Sequence, residues 1–232
     1  MDLLIFDVDG TLTRTLEVDS DCFTRAFNAV FGWTGINTDW ASYPNYTDSG
    51  ITREIFLQQL SRPPRREENR RLIAAFLRLL EDAWRDDPSQ FTAVAGAARL
   101  IEELKGNCDR VTAVATGCWA ASARFKLDKA GIGLGHIPLI ASDRILVREE
   151  IVRRAVEKAR KRFQAQEFRK VVFIGDGVWD VKAARRLGLA FIGIGDKNKQ
   201  RLLRAAGARS VMEDFSEYDF FLQEVERAAI PL

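Results

Sequence analysis

Two aspartates stand one residue apart where an apolar segment near the start of the chain ends. Residues 3–6 are apolar and are followed by Asp7, Val8 and Asp9. Because side chains alternate between the two faces of a strand, Asp7 and Asp9 begin on the same side. Like charges this close repel, and burial strengthens the repulsion. The pattern therefore indicates a site that holds a cation, unless both carboxylates lie in a solvated loop.

Further polar groups follow two other apolar segments of the chain. Thr116 comes directly after residues 111–115, and both Asp176 and Asp180 come shortly after residues 170–174. Ligands of an open parallel sheet bind beyond the carboxyl ends of its strands. We therefore expect four carboxylates and one hydroxyl to converge at one edge of a sheet, although each residue alone is also common in turns.

Short apolar segments recur along the chain and are typical of strands that are buried on both faces. Helical patterns separate most of these segments, which predicts an α/β fold with a doubly wound, parallel-sheet, Rossmann-like core. The predicted strands are residues 2–6, 111–115, 137–140, 170–174 and 190–194.

Residues 14–88 interrupt this alternation because they carry helical patterns and no convincing strand. We predict that they form an all-helical cap domain, inserted into a catalytic core made of residues 1–13 and 89–232. The insertion follows Asp7 and Asp9 directly, so the cap would be placed to cover them. Its predicted helices lie near residues 16–31, 51–60 and 65–85, the last with an apolar stripe along one face.

The composition disfavours several classes of protein. With 35 basic and 33 acidic residues the net charge is +2, so no global field attracts nucleic acid or an anionic membrane. Three cysteines without CxxC spacing argue against a disulfide framework or a zinc site. The start lacks the pattern of a signal peptide, and no apolar stretch approaches the roughly 18 residues of a membrane span. We expect a cytoplasmic protein, monomer or homodimer, whose partner is a small molecule.

The motifs resemble those of the haloacid dehalogenase-like hydrolase superfamily. The matching segments are DVDGT at residues 7–11, Thr116 after an apolar strand, and GDGVWD at residues 175–180. With residues 14–88 in the place of a helical cap, the resemblance covers essentially the whole chain and points to the phosphoglycolate phosphatase-like branch. It implies a Mg²⁺-dependent phosphatase that hydrolyses a small phosphorylated metabolite through an aspartyl-phosphate intermediate.

The resemblance also implies a role for each matching residue. Asp7 would be the nucleophile, and Asp9 the general acid and base, with a pKa that neighbouring carboxylates raise. Mg²⁺ prefers oxygen ligands, here the side chains of Asp7 and Asp176 and the backbone carbonyl of Asp9, with Asp180 either as an added ligand or as a group that orients the metal's surroundings. The residues implied at the substrate are Thr116 and Gly117, which would bind phosphate oxygens, and Gly10, which lets the chain turn beside the nucleophile.

One positive side chain of the family's site has no obvious counterpart. The family usually places a lysine there, sometimes an arginine, and the expected place holds no lysine. We assign Arg148, because it continues the apolar stripe of the predicted helix 148–163 by one turn toward its start. Arg144 and Lys182 remain alternatives, and Arg148 could instead be a helix-end arginine whose charged head reaches solvent.

The loop of residues 42–50 joins two predicted helices, and the corresponding loop of the family faces the active site. Tyr46, Thr47 and Asp48 could contact the leaving group, or Thr47 or Asp48 could cap the helix that begins near residue 50. Trp119, shortly after Thr116, could line the entrance or pack between cap and core. The sequence leaves these alternatives open.

Other reactions within the superfamily fit the residues less well. A dehalogenase does not use an acid/base aspartate at the position of Asp9, and the phosphonate-cleaving branch needs a cap lysine that residues 14–90 lack. A sugar-phosphate mutase of this type uses a cap histidine, whereas the single histidine, His136, lies outside the predicted cap. The mutase is therefore the second choice, together with a non-catalytic phosphate-binding member.

Overall fold

The strands contain the apolar segments that the sequence marks as buried. The computed structural model describes all 232 residues, and each strand pairs in parallel with its neighbours. The six strands are β1 (Asp2–Phe6), β2 (Arg110–Ala115), β3 (Leu139–Ile140), β4 (Val171–Gly175), β5 (Ala190–Ile194) and β6 (Ser210–Met212).

The sheet has the strand order β3-β2-β1-β4-β5-β6. Strand β1 lies at the centre, where Phe6 is in register with Val114 of β2 and Ile174 of β4. The direction of strand addition reverses between β1 and β4, and this is the position at which open α/β sheets bind ligands. The order confirms the predicted doubly wound parallel sheet.

Nine helices cover the sheet and form the segment between β1 and β2. Two short 3₁₀ turns, Trp40–Ser42 and Pro88–Gln90, accompany them. None of the helices is both long and apolar enough to cross a membrane. The helices are α1 (Leu16–Phe31), α2 (Asp48–Leu60), α3 (Arg66–Asp86), α4 (Ala97–Lys105), α5 (Ala120–Lys129), α6 (Arg148–Arg162), α7 (Val178–Leu187), α8 (Lys197–Ala205) and α9 (Tyr218–Arg227).

Both faces of the sheet are buried, which explains the continuous apolar character of its strands. Leu4 and Phe6 of β1 point into one apolar cluster, and Leu3 and Ile5 point into another on the opposite face. Each face is covered by helices, as parallel sheets require. Asp7 therefore follows a strand that is buried on both faces.

Residues 14–88, called the helical segment below, contain helices α1 to α3 and no strand. They build a third apolar cluster, which also includes Trp119 and Phe91 from outside the segment. The helical segment thus packs directly on the residues that follow β2. Its status as a separate cap domain remains a prediction.

Several element bounds differ from the sequence-based expectation. Strand β3 covers only residues 139–140, and helix α2 begins at Asp48 because the Thr47 hydroxyl accepts a hydrogen bond from the Gly50 amide. Strand β6 was not predicted, since three residues that include Ser210 are too short a pattern to distinguish from a loop. The other strands agree within one residue at each end.

Removing the Trp119 ring is expected to destabilise the protein. Trp119 is fully buried, lies 5.6 Å from the Phe23 ring and 5.7 Å from the Phe76 ring, and donates a hydrogen bond to Ser49. Trp119→Ala should lower the free energy of unfolding in urea by about 3–5 kcal/mol. Phe220→Ala, at a half-exposed aromatic of α9, is the control and should change it by less than about 0.5 kcal/mol. Equal stability of the two variants would contradict this prediction.

Candidate active site

The carboxylates predicted from the motifs meet at the carboxyl edge of the sheet. Asp7 follows β1, Asp176 follows β4 and Asp180 lies in the first turn of α7. All three are buried, and one oxygen of each lies within 4.8 Å of the others. The alternative of a solvated loop is therefore wrong for this group.

The chemistry of this cluster fits a divalent cation. Oδ1 of Asp176 and Oδ1 of Asp180 are buried and accept no hydrogen bond. Burial raises the pKa of Asp180 and raises that of Asp176 to about 6, although Arg148 and Lys199 respectively oppose the increase. Buried oxygens that accept no hydrogen bond are costly, and hard oxygen donors are what Mg²⁺ prefers.

Arg148 lies where the missing positive group was expected. Its Nη1 is 3.2 Å from Oδ1 of Asp7, and its Nε is 3.0 Å from Oδ1 of Asp180 without the alignment of a hydrogen bond. The guanidinium is buried, whereas Arg144 and Lys182 are exposed. Burial raises the pKa of Asp7, and the Arg148 charge partly offsets that increase. Arg148 is thus not a solvent-directed helix-end residue.

Asp9 belongs to a second group of charges, which the sequence did not reveal. Its Oδ2 lies 2.6 Å from Nζ of Lys126, and its Oδ1 accepts a 2.5 Å hydrogen bond from Thr15. The Cys118 thiol donates to the same Oδ2 at 2.8 Å. Lys126 is fully buried and also contacts Asp19 of α1. One ammonium therefore joins the core to the helical segment.

The expectation of a raised pKa at Asp9 is wrong. Burial acts in that direction, but the Lys126 ammonium and the hydrogen bonds from Cys118, Lys126 and Thr15 together lower the pKa. The pKa of Asp19 is raised to about 6, because its burial outweighs the same ammonium. Asp9 is consequently an anion in this arrangement.

The position of Lys126 on its helix was the signal that could have identified it. Ser122, Ala123 and Leu127 form the buried face of α5, and Lys126 shares that face. A lysine in a buried stripe needs a partner of opposite charge. The sequence pattern shows the burial of Lys126, but only the fold shows that Asp9 and Asp19 are its partners.

A third cation lies beside Asp176. Lys199 of α8 places Nζ 2.5 Å from Oδ2 of Asp176. Gly10 passes close to the same carboxylate: a Cβ there would lie 2.0 Å from Oδ2, and its φ of +76° favours glycine. The Gly10 amide donates to the carbonyl of Thr13. Gly10 therefore leaves room for the Asp176 carboxylate and allows the chain to turn after Asp9.

Thr116 and Gly117 lie at the end of β2, as predicted. Thr116 is buried, and its hydroxyl oxygen accepts a 3.1 Å hydrogen bond from the Cys118 amide. A Cβ at Gly117 would lie 3.1 Å from Nη1 of Arg148. The absence of a side chain at Gly117 thus lets the guanidinium lie against the backbone at this edge.

The loop of residues 42–50 docks on the core through Thr47 and Asp48. The Thr47 hydroxyl donates to the carbonyl of Leu146 at 2.8 Å while it caps α2, and Asp48 accepts a 2.8 Å hydrogen bond from the Trp119 amide. The capping interpretation of Thr47 is thereby confirmed. Trp119 packs between the helical segment and the core, and does not line an entrance.

A stacked pair of aromatic rings closes one side of the site. Tyr46 of the same loop lies parallel to Trp179 of α7, with 3.5 Å between ring centroids and 12° between ring planes. The two rings join the helical segment to the last carboxylate motif. Burial raises the pKa of Tyr46, so this phenol is a neutral wall of the site.

A cavity of about 640 Å³ lies between the helical segment and the sheet edge. Its volume is in the range of small-molecule sites. Asp180 and Gly10 lie outside its lining. The predicted site residues that line it are Asp7, Asp9, Thr47, Asp48, Thr116, Gly117, Arg148 and Asp176.

The strand order and the buried carboxylates define a Rossmann-like fold with a candidate active site at the carboxyl edge of its sheet. The model of the haloacid dehalogenase-like hydrolase family matches residues 1–188, and the chain belongs to this family. The resemblance read from the motifs is therefore confirmed. No curated protein matches the chain significantly.

Solved structures share the fold over nearly the whole chain. A hydrolase from Pseudomonas syringae is 22% identical with a TM-score of 0.72, and the match covers 97% of this chain and 99% of that one. A predicted phosphatase from Clostridium acetobutylicum is 18% identical, with a TM-score of 0.62 and coverages of 96% and 98%. CbbY from Rhodobacter sphaeroides, solved with phosphate, is 22% identical, with a TM-score of 0.64 and coverages of 93% and 95%. At these identities the matches establish the fold alone.

The buried ammonium of Lys126 should be essential for stability. Lys126→Met would leave the carboxylates of Asp9 and Asp19 without their counter-charge, and such a change typically costs about 3–5 kcal/mol. Urea unfolding at neutral pH measures the loss. Lys158→Met, at an exposed position of α6, is the matched control and should stay within about 0.5 kcal/mol of the wild type. Wild-type stability of Lys126→Met would show that the pair contributes nothing.

Proposed function

We propose that the protein is a Mg²⁺-dependent phosphatase that hydrolyses a small phosphorylated metabolite through an aspartyl-phosphate on Asp7. The observation that carries the proposal is the position of Asp7. Its carboxylate lines the cavity, contacts Arg148 and belongs to the cluster with Asp176 and Asp180. The groups proposed as nucleophile, phosphate-binding cation and metal ligands therefore lie together at one edge of the sheet.

Asp7 would attack the phosphorus, because a carboxylate can carry the phosphoryl group as a covalent intermediate. The attack requires the ionised form, and burial works against it by raising the pKa of Asp7. Arg148 opposes this effect and orients the carboxylate through its contact with Oδ1. The same guanidinium faces the end of the cavity where charge develops on the transferring phosphoryl group.

The residues that would hold Mg²⁺ are Asp7, Asp176, Asp180 and the backbone carbonyl of Asp9. When bound, the cation would supply charge neutralisation for the phosphate and the surrounding carboxylates. Thr116 and Gly117 would bind the remaining phosphate oxygens through a hydroxyl and an amide. These donors act without reorganisation, since both lie at the end of a buried strand.

Asp9 would serve as the proton-transfer group. As an anion held by Lys126, Thr15 and Cys118, it is prepared to accept a proton from the water that hydrolyses the intermediate. To protonate the leaving alcohol in the first step, Asp9 must first take up a proton from solvent, against the lowered pKa that Lys126, Cys118 and Thr15 impose on it. We propose that the helical segment acts as a cap which excludes water during that step.

The alternative as a sugar-phosphate mutase gains no support from the site. His136 is exposed in the loop before β3, and the cavity lining contains no histidine. A non-catalytic member would be expected to lose one of the reacting carboxylates, but Asp7 and Asp9 both line the cavity.

Hydrolysis of p-nitrophenyl phosphate with and without Mg²⁺ tests the proposal. The wild type should turn over only with the metal, and Asp7→Asn should lose at least about 10³-fold in kcat because the nucleophile is gone. Arg148→Ala should lose about 10²–10³-fold, as expected for a group that stabilises the transition state.

Arg144→Ala is the matched control, because Arg144 is exposed and four residues earlier. It should retain wild-type turnover. Circular dichroism of each variant separates loss of chemistry from loss of fold. Metal-independent turnover, or full activity of Asp7→Asn, would refute the mechanism, and a loss in Arg144→Ala with none in Arg148→Ala would reverse the assignment of the cation.

A further inference from the structure

The cavity has two ends of different chemistry. At the sheet edge it is lined by Asp7, Thr116, Arg148 and Asp176, the groups proposed to bind and transfer the phosphoryl group. The other end is lined by the helical segment, chiefly by the first turns of α1 and by the polypeptide around residues 38–48. A leaving group attached to the phosphate must extend toward this second end.

The lining from the helical segment is rich in acceptors and contains no cation. Four carboxylates lie there, and Ser20, Thr24 and Thr38 add hydroxyl groups. Arg148 is the single basic residue of the whole lining, and it is engaged by Asp7 and Asp180. The four carboxylates are Glu17, Asp19, Asp21 and Asp48.

Three cations near the cavity are already paired and do not line it. Lys126 is fully buried behind Asp9 and Asp19, and does not line the cavity. Arg25 is paired with Asp21 at 3.0 Å and is also absent from the lining. Lys199 contacts Asp176 and lines a different, smaller cavity.

From this distribution we infer that the substrate is a phosphate monoester whose leaving alcohol carries no anionic group and presents hydroxyl or ammonium donors. A carboxylate or second phosphate on the leaving group would find no unpaired cation in this lining and would face Glu17, an exposed carboxylate without an ion-pair partner, which is unfavourable at short range. Hydroxyl and ammonium donors would instead pair with Glu17 and with the hydroxyl groups of Ser20, Thr24 and Thr38. The inference rests on the proposed phosphatase function and specifies its substrate class.

Two series of phosphate monoesters, matched in size and differing in charge, test this inference. The first is 2-hydroxyethyl phosphate, 2-aminoethyl phosphate and phosphoglycolate. The second is glucose 6-phosphate, glucosamine 6-phosphate and 6-phosphogluconate. In each series kcat/KM for the anionic member should be at least about tenfold lower than for the neutral and the amino members.

A variant of the lining makes the test specific to charge. Glu17 is exposed at the start of α1 and lines the cavity, so Glu17→Gln removes one negative charge without leaving a buried cation unpaired. It should raise the ratio of anionic to neutral kcat/KM by about two- to fivefold. Glu167→Gln, in the exposed loop before β4, is the control and should leave the ratio unchanged.

The outcomes separate the two proposals. If Mg²⁺-dependent hydrolysis of p-nitrophenyl phosphate is lost in Asp7→Asn, yet the anionic members react as fast as the neutral ones, the substrate inference is overturned and the phosphatase function stands. If Glu17→Gln leaves the ratio of anionic to neutral kcat/KM unchanged, the inference that the acidic lining disfavours anionic leaving groups is likewise overturned. If no compound of either series and no aryl phosphate is hydrolysed with Mg²⁺, both proposals fail.

Discussion

The structure depends on the compensation of negative charge that is buried at one edge of the sheet. Asp7, Asp9, Asp176 and Asp180 are all buried within a few residues of two neighbouring strand ends. Such a group would not be tolerated without positive charge nearby, because burial and mutual repulsion both disfavour the ionised forms. Three cations supply it, each from a different helix: Lys126 from α5, Arg148 from α6 and Lys199 from α8.

This compensation explains why the helices around the site are fixed as they are. Helix α6 must bring Arg148 against the end of β1, and α5 must aim Lys126 inward, although a lysine on a buried face is costly on its own. Helix α1 supplies Asp19 as a second partner of Lys126. The contacts of Lys126 with Asp9 and Asp19 therefore compensate charge in the site and also hold the helical segment against the core.

Much of the fold and part of the site could be predicted from the sequence, for identifiable reasons. Strands buried on both faces give continuous apolar segments, and parallel topology brings Asp7, Thr116 and Asp176 to one edge. Arg148 could be assigned because it continues an apolar stripe. Lys126 could not be placed beside Asp9, since a contact between residues 117 positions apart leaves no local pattern. The three-residue strand β6 is too short for periodicity to reveal.

The apolar cluster of the helical segment includes Trp119, which lies outside that segment and follows β2 in the sequence. Lys126, on the following helix α5, likewise contacts both the core, through Asp9, and the helical segment, through Asp19. An engineer who exchanged residues 14–88 for the corresponding segment of another family member would leave behind Trp119, which belongs to the apolar cluster of that segment, and Lys126, which is paired with Asp19. A unit that can be exchanged between proteins would therefore consist of two separate stretches of the chain. A working chimera would have to include Trp119 and helix α5 together with helices α1 to α3.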